Sequence, residues 1–112
     1  MIFRSTGCDA CHASAGFLVG EKRIYPYSDL LLHDVGPDLD DRVVQGEAKG
    51  PEWRTTPLWG LSQRRRLLHD GRAHNVVQAI LAHGGEAAAA RKRFQGLATG
   101  ERVALLGFLA GL

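Results

Sequence analysis

The chain has 112 residues, a formal net charge of +2 and a sequence pI near 8.8, which together favour one small domain. The basic residues are mostly arginine, eleven Arg against three Lys, and so small a surplus of positive charge does not indicate nucleic-acid binding. No apolar run approaches the length of a membrane span, and no secretion signal is visible. A domain of this size buries only about two thirds of its unfolded surface, so a cofactor would add substantially to its core.

The segment 7–12 contains a C-x-x-C-H pattern, formed by Cys8, Cys11 and His12, which is typical of covalent haem c attachment. Two thiols at this spacing can each form a thioether with a haem vinyl group, and the adjacent histidine can then ligate the iron. A zinc site would need two more Cys or His at matching spacing, and a thioredoxin-like site would need a βαβ pattern; we find neither. We therefore expect one haem c per chain. The alternatives are a chance match and a structural disulfide.

The predicted elements begin with a short helix from Phe3 to about Ala13, which includes the haem motif. Gly7 would either permit close helix contact or lie in a loop before the helix. Residues 14–52 are interrupted by glycine and proline every few positions and contain a cluster of acids, so they predict a long structured loop. Wrapping a cofactor is a sufficient role for such a loop.

Both tryptophans of the chain lie within the segment 53–60, on either side of Arg54. Trp53 and Trp59 could pack against the edge of a porphyrin, or both could be ordinary core residues. Arg54 is predicted to form a charge-assisted pair with a haem propionate, the alternative being a solvent-facing side chain. We predict Arg54 and Trp59 as haem contacts.

Three helices are predicted in the C-terminal half of the chain. Asn75, with Gln78 three residues later, is a capping pair for a helix that runs to about His83, where a Gly-Gly pair stops it. The alanine-rich segment 86–97 favours a second helix. Thr99 would cap a third, in which two glycines on the apolar stripe suggest close crossing by another helix. Strand-like alternation is absent, so the sequence predicts an all-α fold.

The iron of an electron-transfer haem needs an axial ligand opposite His12, usually Met or His. The only methionine is Met1, which is a poor anchor. His74 adjoins the predicted helix cap and looks exposed, and His33 lies in the long loop, where it could simply bond the next residue, an aspartate. His83 lies on the apolar face of its predicted helix. It is the preferred ligand, with His33 second and an open or water-filled site as the remaining alternative.

Four blocks follow one another along the chain: the C-x-x-C-H pattern, PYSDLLLHD at 26–34, WRTTPLWGL at 53–61 and LHDGRA at 68–73. In this order they resemble the C-terminal cytochrome c domain of the di-haem oxidoreductase, putative peroxidase family. Its members are also described as thiol oxidoreductases and are similar to bacterial di-haem cytochrome c peroxidases. The resemblance covers nearly the whole chain. It implies a class I cytochrome c-like domain with a long haem-wrapping loop, a periplasmic setting and a second haem domain outside this sequence.

The resemblance also bears on the iron ligand and on the extent of the protein. In the peroxidases, the electron-transfer haem takes a methionine ligand fourteen residues after the histidine of the H-D-G block, and that offset from His69 leads here to His83. His69 itself is implied to have a pocket role near the haem rather than a ligand role. Residues 1–112 would be one mono-haem domain, the C-terminal piece of a longer di-haem protein, beginning just upstream of its haem motif.

Two functions are open at this stage. The first is an electron-transfer domain that relays single electrons, and the second is a five-coordinate peroxidase-type site with His69, His33 or Asp70 as acid and base. The resemblance favours electron transfer, because in that family this domain is the relay and the chemistry belongs to the other haem. We expect the partner to be the second haem domain or a small redox protein in the periplasm, with the leader outside this sequence. Neither nucleic acid nor a membrane span is expected.

Overall fold

The computed structural model describes residues 1–112 and contains four α-helices and four short strands, joined by turns and 3₁₀ segments. The helices are α1 (Ile2–Ser5), α2 (Val76–Leu81), α3 (Ala88–Gln95) and α4 (Thr99–Ala110). The strands are β1 (Phe17–Val19), β2 (Lys22–Ile24), β3 (Leu32–Asp34) and β4 (Glu52–Arg54). Strand β1 pairs antiparallel with β2, and β3 pairs antiparallel with β4, giving two separate two-stranded sheets.

The prediction of an all-α, class I cytochrome c-like fold is wrong, because the chain is mixed, 38% helical and 14% strand. Both sheets involve the segment that the sequence predicted as loop. Each strand has only three residues, and alternation over three positions cannot be distinguished from loop composition. The pairing of Leu32 with Arg54 and of Asp34 with Glu52 also joins distant parts of the sequence.

The haem-motif segment is not the single helix predicted from Phe3 to Ala13. Gly7 adopts a left-handed φ of 94° and breaks it, and Cys8–Ala10 then form a 3₁₀ turn. A Cβ on Gly7 would make an ordinary contact with the Cβ of Ala90 at 3.6 Å, and its one tight neighbour would be the guanidinium end of Arg93 at 2.8 Å. The structure therefore gives Gly7 the role of a turn glycine between α1 and the 3₁₀ turn, and it does not support the alternative of a close helix contact.

The C-terminal helices agree well with the sequence. The Asn75 cap is confirmed, since its Oδ1 accepts the Gln78 N–H at 2.9 Å. Helix α2 ends at Leu81, two residues before the predicted end. The N-cap of α4 is Ala98 instead of Thr99, and its N–H donates to the Glu101 carboxylate at 3.0 Å. None of the helices is both long and apolar enough to cross a membrane.

The buried core lies where α1, α3 and α4 meet the 3₁₀ turn at Leu61–Gln63. Phe3 of α1 packs against Tyr27 and Phe108, with ring centroids 6.0 and 5.2 Å apart. These contacts tie the segment before the haem motif to α4. A Cβ on Gly107 would meet nothing within 4 Å, so the predicted helix crossing at this glycine is wrong. The buried apolar side chains of this core are Phe3, Leu61, Phe94, Leu105 and Leu109.

Candidate cofactor site

One cavity of about 450 Å³ lies among the haem-motif segment, the β3–β4 sheet, α2 and α3. Its volume is within the range of cofactor and small-molecule pockets. Apolar side chains form much of the wall, among them Phe3, Leu39, Leu58, Leu61, Val76 and Ile80. Six of the seven predicted site residues line this one cavity: Cys8, Cys11, His12, Arg54, His69 and His83.

The seventh predicted residue, Trp59, lies outside the cavity lining and is 49% exposed. Trp53 lines the cavity instead, and its ring stacks on His69 with centroids 3.8 Å apart and an interplanar angle of 13°. The indole Nε1–H of Trp53 donates to the Leu39 carbonyl at 2.9 Å, which fixes the tryptophan in the stack. The sequence offered no sign of this pair, because fifteen residues separate its members.

A backbone carbonyl orients the ring of His12. Its Nδ1 lies 3.0 Å from the Tyr27 carbonyl oxygen, and because a carbonyl only accepts, Nδ1 holds the proton and a neutral ring keeps its lone pair on Nε2. Burial of the ring is the main reason that the pKa of His12 is lowered to about 4. The bond to Tyr27 acts in the opposite direction and raises the pKa, whereas the charge of nearby His83 lowers it further. His12 is therefore neutral at pH 7, as a metal-ligating histidine must be.

His83 has the same arrangement just after the end of α2. Its Nδ1 lies 2.7 Å from the carbonyl oxygen of Ala79, four residues earlier, which leaves Nε2 without a hydrogen-bond partner. A backbone acceptor on the second ring nitrogen is the partner that commonly orients metal-binding histidines. The sequence placed His83 on the inner face of its helix but did not identify this acceptor.

The Gly84-Gly85 pair that follows His83 does more than end the helix. The Gly84 N–H donates to the Val35 carbonyl at 3.0 Å, and a Cβ on Gly84 would lie only 2.8 Å from that oxygen. The backbone after His83 therefore packs directly on the backbone after β3. Because this contact holds the backbone immediately after His83, we expect it to help position the His83 ring at the cavity.

His33, the second candidate ligand, has both ring nitrogens occupied. Its Nδ1 lies 2.8 Å from Glu86 Oε2, and its Nε2 lies 2.7 Å from Asp29 Oδ2. The pKa of His33 is raised because its hydrogen bonds stabilise the charged ring; the bond to Glu86 has the larger effect and the bond to Asp29 the next. Iron ligation by His33 would cost at least one of these bonds, so the geometry favours His83.

The His33 cluster predicts a pH dependence of stability. The folded-state pKa of His33 is raised, so the protonated ring stabilises the folded chain. This contribution to stability is fully present below the ordinary histidine pKa near 6.5, and it is lost as pH rises through the folded-state pKa. In metal-free buffer, the wild type should therefore exceed a His33→Gln variant in melting temperature most clearly near pH 5 to 6, and the gap should narrow toward pH 8. A gap that stays constant over this range would contradict the charged state of His33.

The family model described as di-haem oxidoreductase, putative peroxidase matches residues 1–112. The chain belongs to this family. No curated protein and no solved structure matches the chain. Membership of the di-haem oxidoreductase family implies haem binding, and it confirms the family that the four sequence blocks indicated.

The cavity residues fit the haem that the di-haem oxidoreductase family implies. Cys8 and Cys11 are free thiols that line the cavity beside two imidazoles with unoccupied Nε2 atoms. Arg54 is exposed at the cavity edge and makes no ion pair within the protein, so its guanidinium is free to bind a carboxylate. Sequence reasoning missed four further cavity arginines, which converge only in the fold: Arg64, Arg66, Arg91 and Arg93.

Proposed function

We propose that this chain is a haem c electron-transfer domain of a di-haem oxidoreductase, with Cys8 and Cys11 attaching one haem covalently and His12 and His83 ligating its iron. The observation that supports this most is the pair of imidazoles lining one cavity, each with Nδ1 bonded to a backbone carbonyl and Nε2 left for a metal. When bound, the haem supplies a one-electron redox centre whose potential depends on its axial ligands.

The chain's own residues attach, orient and shield the cofactor. The Tyr27 and Ala79 carbonyls hold the two imidazoles in the tautomer that a metal needs, and the apolar side chains of the wall would pack against the porphyrin. Arg54 offsets the negative charge of a propionate. His69 stacks on Trp53 of β4, and both side chains line the cavity.

A peroxidase-type site is the second candidate. Two protein ligands would leave no open position on the iron for a peroxide, which favours electron transfer. Among the acid–base residues considered, His33 is held between two carboxylates and Asp70 pairs with Arg72 at 2.7 Å. His69 makes no hydrogen bond and lines the cavity, so it is the residue that a peroxidase-type reaction would use as acid and base.

We further propose that this chain is the C-terminal domain of a longer periplasmic protein. Its two cysteines suffice for one attachment motif, whereas the family is di-haem, so the second haem would belong to another domain. That domain, or a small redox protein, is the proposed electron partner. Haem c attachment outside the cytoplasm supports the periplasmic location.

Mass spectrometry tests the covalent attachment. Protein made in a host with a c-type maturation system should gain the mass of one haem, because both thiols line the cavity beside His12. The matched control is a Cys8→Ala/Cys11→Ala double variant, made in the same host, which should gain none. An unmodified wild-type mass from a host that matures another cytochrome c would overturn the proposal.

Arg54→Ala tests the propionate contact. Loss of the propionate's charged partner should destabilise the haem-loaded protein by about 1 kcal/mol. The expected cost is small because the Arg54 side chain is exposed, where solvent screens charge pairs. The substitution should also shift the haem potential. Haem-free protein should be unaffected, because Arg54 has no ion pair there. Equal melting temperatures and potentials in the loaded wild type and variant would place Arg54 in solvent.

A further inference from the structure

A second cluster of metal-ligating groups lies beside the haem motif, and the proposed haem site uses only one of its members. The thiol of Cys11, the carboxylate of Asp29 and the imidazole of His33 are half-buried, and their ligand atoms lie within 4.8 Å of one another. The three groups differ in chemistry, so this is not merely a patch of acidic residues. A soft sulfur, a nitrogen and an oxygen are the donors that zinc takes in proteins.

Hydrogen bonds already orient two of these ligands. Oδ1 of Asp29 accepts the Leu31 N–H at 2.9 Å, which leaves Oδ2 turned to His33. Nδ1 of His33 bonds to Glu86 Oε2, and the other oxygen of Glu86 is fixed by the Asp34 N–H at 3.0 Å. A carboxylate on the second nitrogen of a histidine is the arrangement that supports zinc ligation.

We propose that the haem-free chain binds one zinc ion through Cys11 Sγ, Asp29 Oδ2 and His33 Nε2, with Glu86 orienting the His33 ring. Three protein ligands leave the fourth position of a tetrahedral site to water. Zinc binding replaces the His33–Asp29 hydrogen bond by two bonds to the metal. The thiol of Cys11 and the Nε2 of His33 each release their proton to solvent, and no oxidation or reduction takes place.

The zinc site and the haem motif share one sulfur, so zinc and the Cys11 thioether exclude each other. The carboxylates of Asp29 and Glu86 both meet at this cluster through the ring nitrogens of His33. A divalent cation would offset those charges.

Zinc titration of the reduced, haem-free full chain tests this site, with a chromophoric chelator as competitor. One zinc should bind per chain, and Cys11→Ser or His33→Gln should abolish binding. Glu86→Gln should weaken it by about 10- to 100-fold, the usual cost of losing an orienting partner. Cys8→Ser is the matched control and should keep wild-type zinc affinity, since Cys8 is not among the proposed ligands. Circular dichroism of each variant checks that the fold is retained.

Several results would overturn the zinc site. If Cys8→Ser loses zinc as completely as Cys11→Ser, while Asp29→Asn and His33→Gln retain it, the cysteine pair or an unfolded chain is the ligand. Absence of binding at micromolar zinc, or equal affinity in haem-loaded and haem-free chain, would also overturn it. The haem-attachment experiment is independent: an unmodified mass there would refute covalent haem and leave the zinc titration as it stands.

Discussion

His83→Gly should convert a low-spin haem iron into a high-spin iron that takes up added imidazole. The imidazole of His83 lines the cavity with His12, and its Nδ1 bond to Ala79 leaves Nε2 as the binding atom. Removing the ring deletes that ligand, and His33 cannot replace it without giving up a carboxylate partner. Absorption and electron paramagnetic resonance spectra of the haem-loaded protein, with and without imidazole, measure the change.

His74→Gly is the matched control for this substitution, because His74 is exposed and is absent from the cavity lining. It should leave the low-spin spectrum intact. Wild-type protein with two histidine ligands should also have a lower potential than a haem with one histidine and one methionine, since methionine raises the potential. A low-spin spectrum that survives His83→Gly would transfer the ligand role to another group. A wild-type spectrum that is already high-spin would favour the peroxidase-type site with His69.

Features that depend on neighbouring residues were predictable from the sequence. The C-x-x-C-H pattern and the Asn75 cap are each specified within a few positions, and the structure confirms the cap and places the motif in the cavity. The apolar face of the helix predicted to run to about His83 placed that residue inward for the same reason, and its ring lines the cavity just after α2 ends. The boundaries of the three C-terminal helices shifted by only one or two residues, as frayed ends normally do.

Features that depend on distant pairing were not predictable. The β3–β4 sheet joins two three-residue strands that a long connection separates in the sequence. Alternation of apolar and polar residues over only three positions is too short to predict a strand. Glu86 is the first residue of the segment 86–97 that the sequence predicted as a helix, yet its side chain bonds His33, 53 positions away in the sequence. The Trp53–His69 stack likewise forms only once the fold brings the two rings together. The all-α prediction failed because these contacts organise the segment between the haem motif and α2.

The Gly84-Gly85 contact predicts a second large effect, at Gly85. This residue has a φ of +51°, a conformation that costs an alanine about 1–2 kcal/mol. A Cβ there would also lie 2.8 Å from the Gly36 nitrogen and would clash with the Asp34 carbonyl oxygen. Gly85→Ala should therefore separate the two backbones, break the Gly84 N–H bond to Val35 and displace His83.

We expect Gly85→Ala to lower stability by about 1–3 kcal/mol and to weaken the low-spin signal of haem-loaded protein, because His83 immediately precedes the displaced backbone. Thermal unfolding and absorption spectra measure the two effects. Gly107→Ala is the matched control: Gly107 lies inside α4, in its last turn, and a Cβ there would meet nothing within 4 Å. This substitution should raise stability by about 0.5–1 kcal/mol. If Gly85→Ala destabilises the chain and leaves the low-spin signal unchanged, the contact supports the fold without positioning His83. If it changes neither, the close backbone packing after β3 does not hold this end of α2, and His83 must be positioned by its Ala79 bond alone.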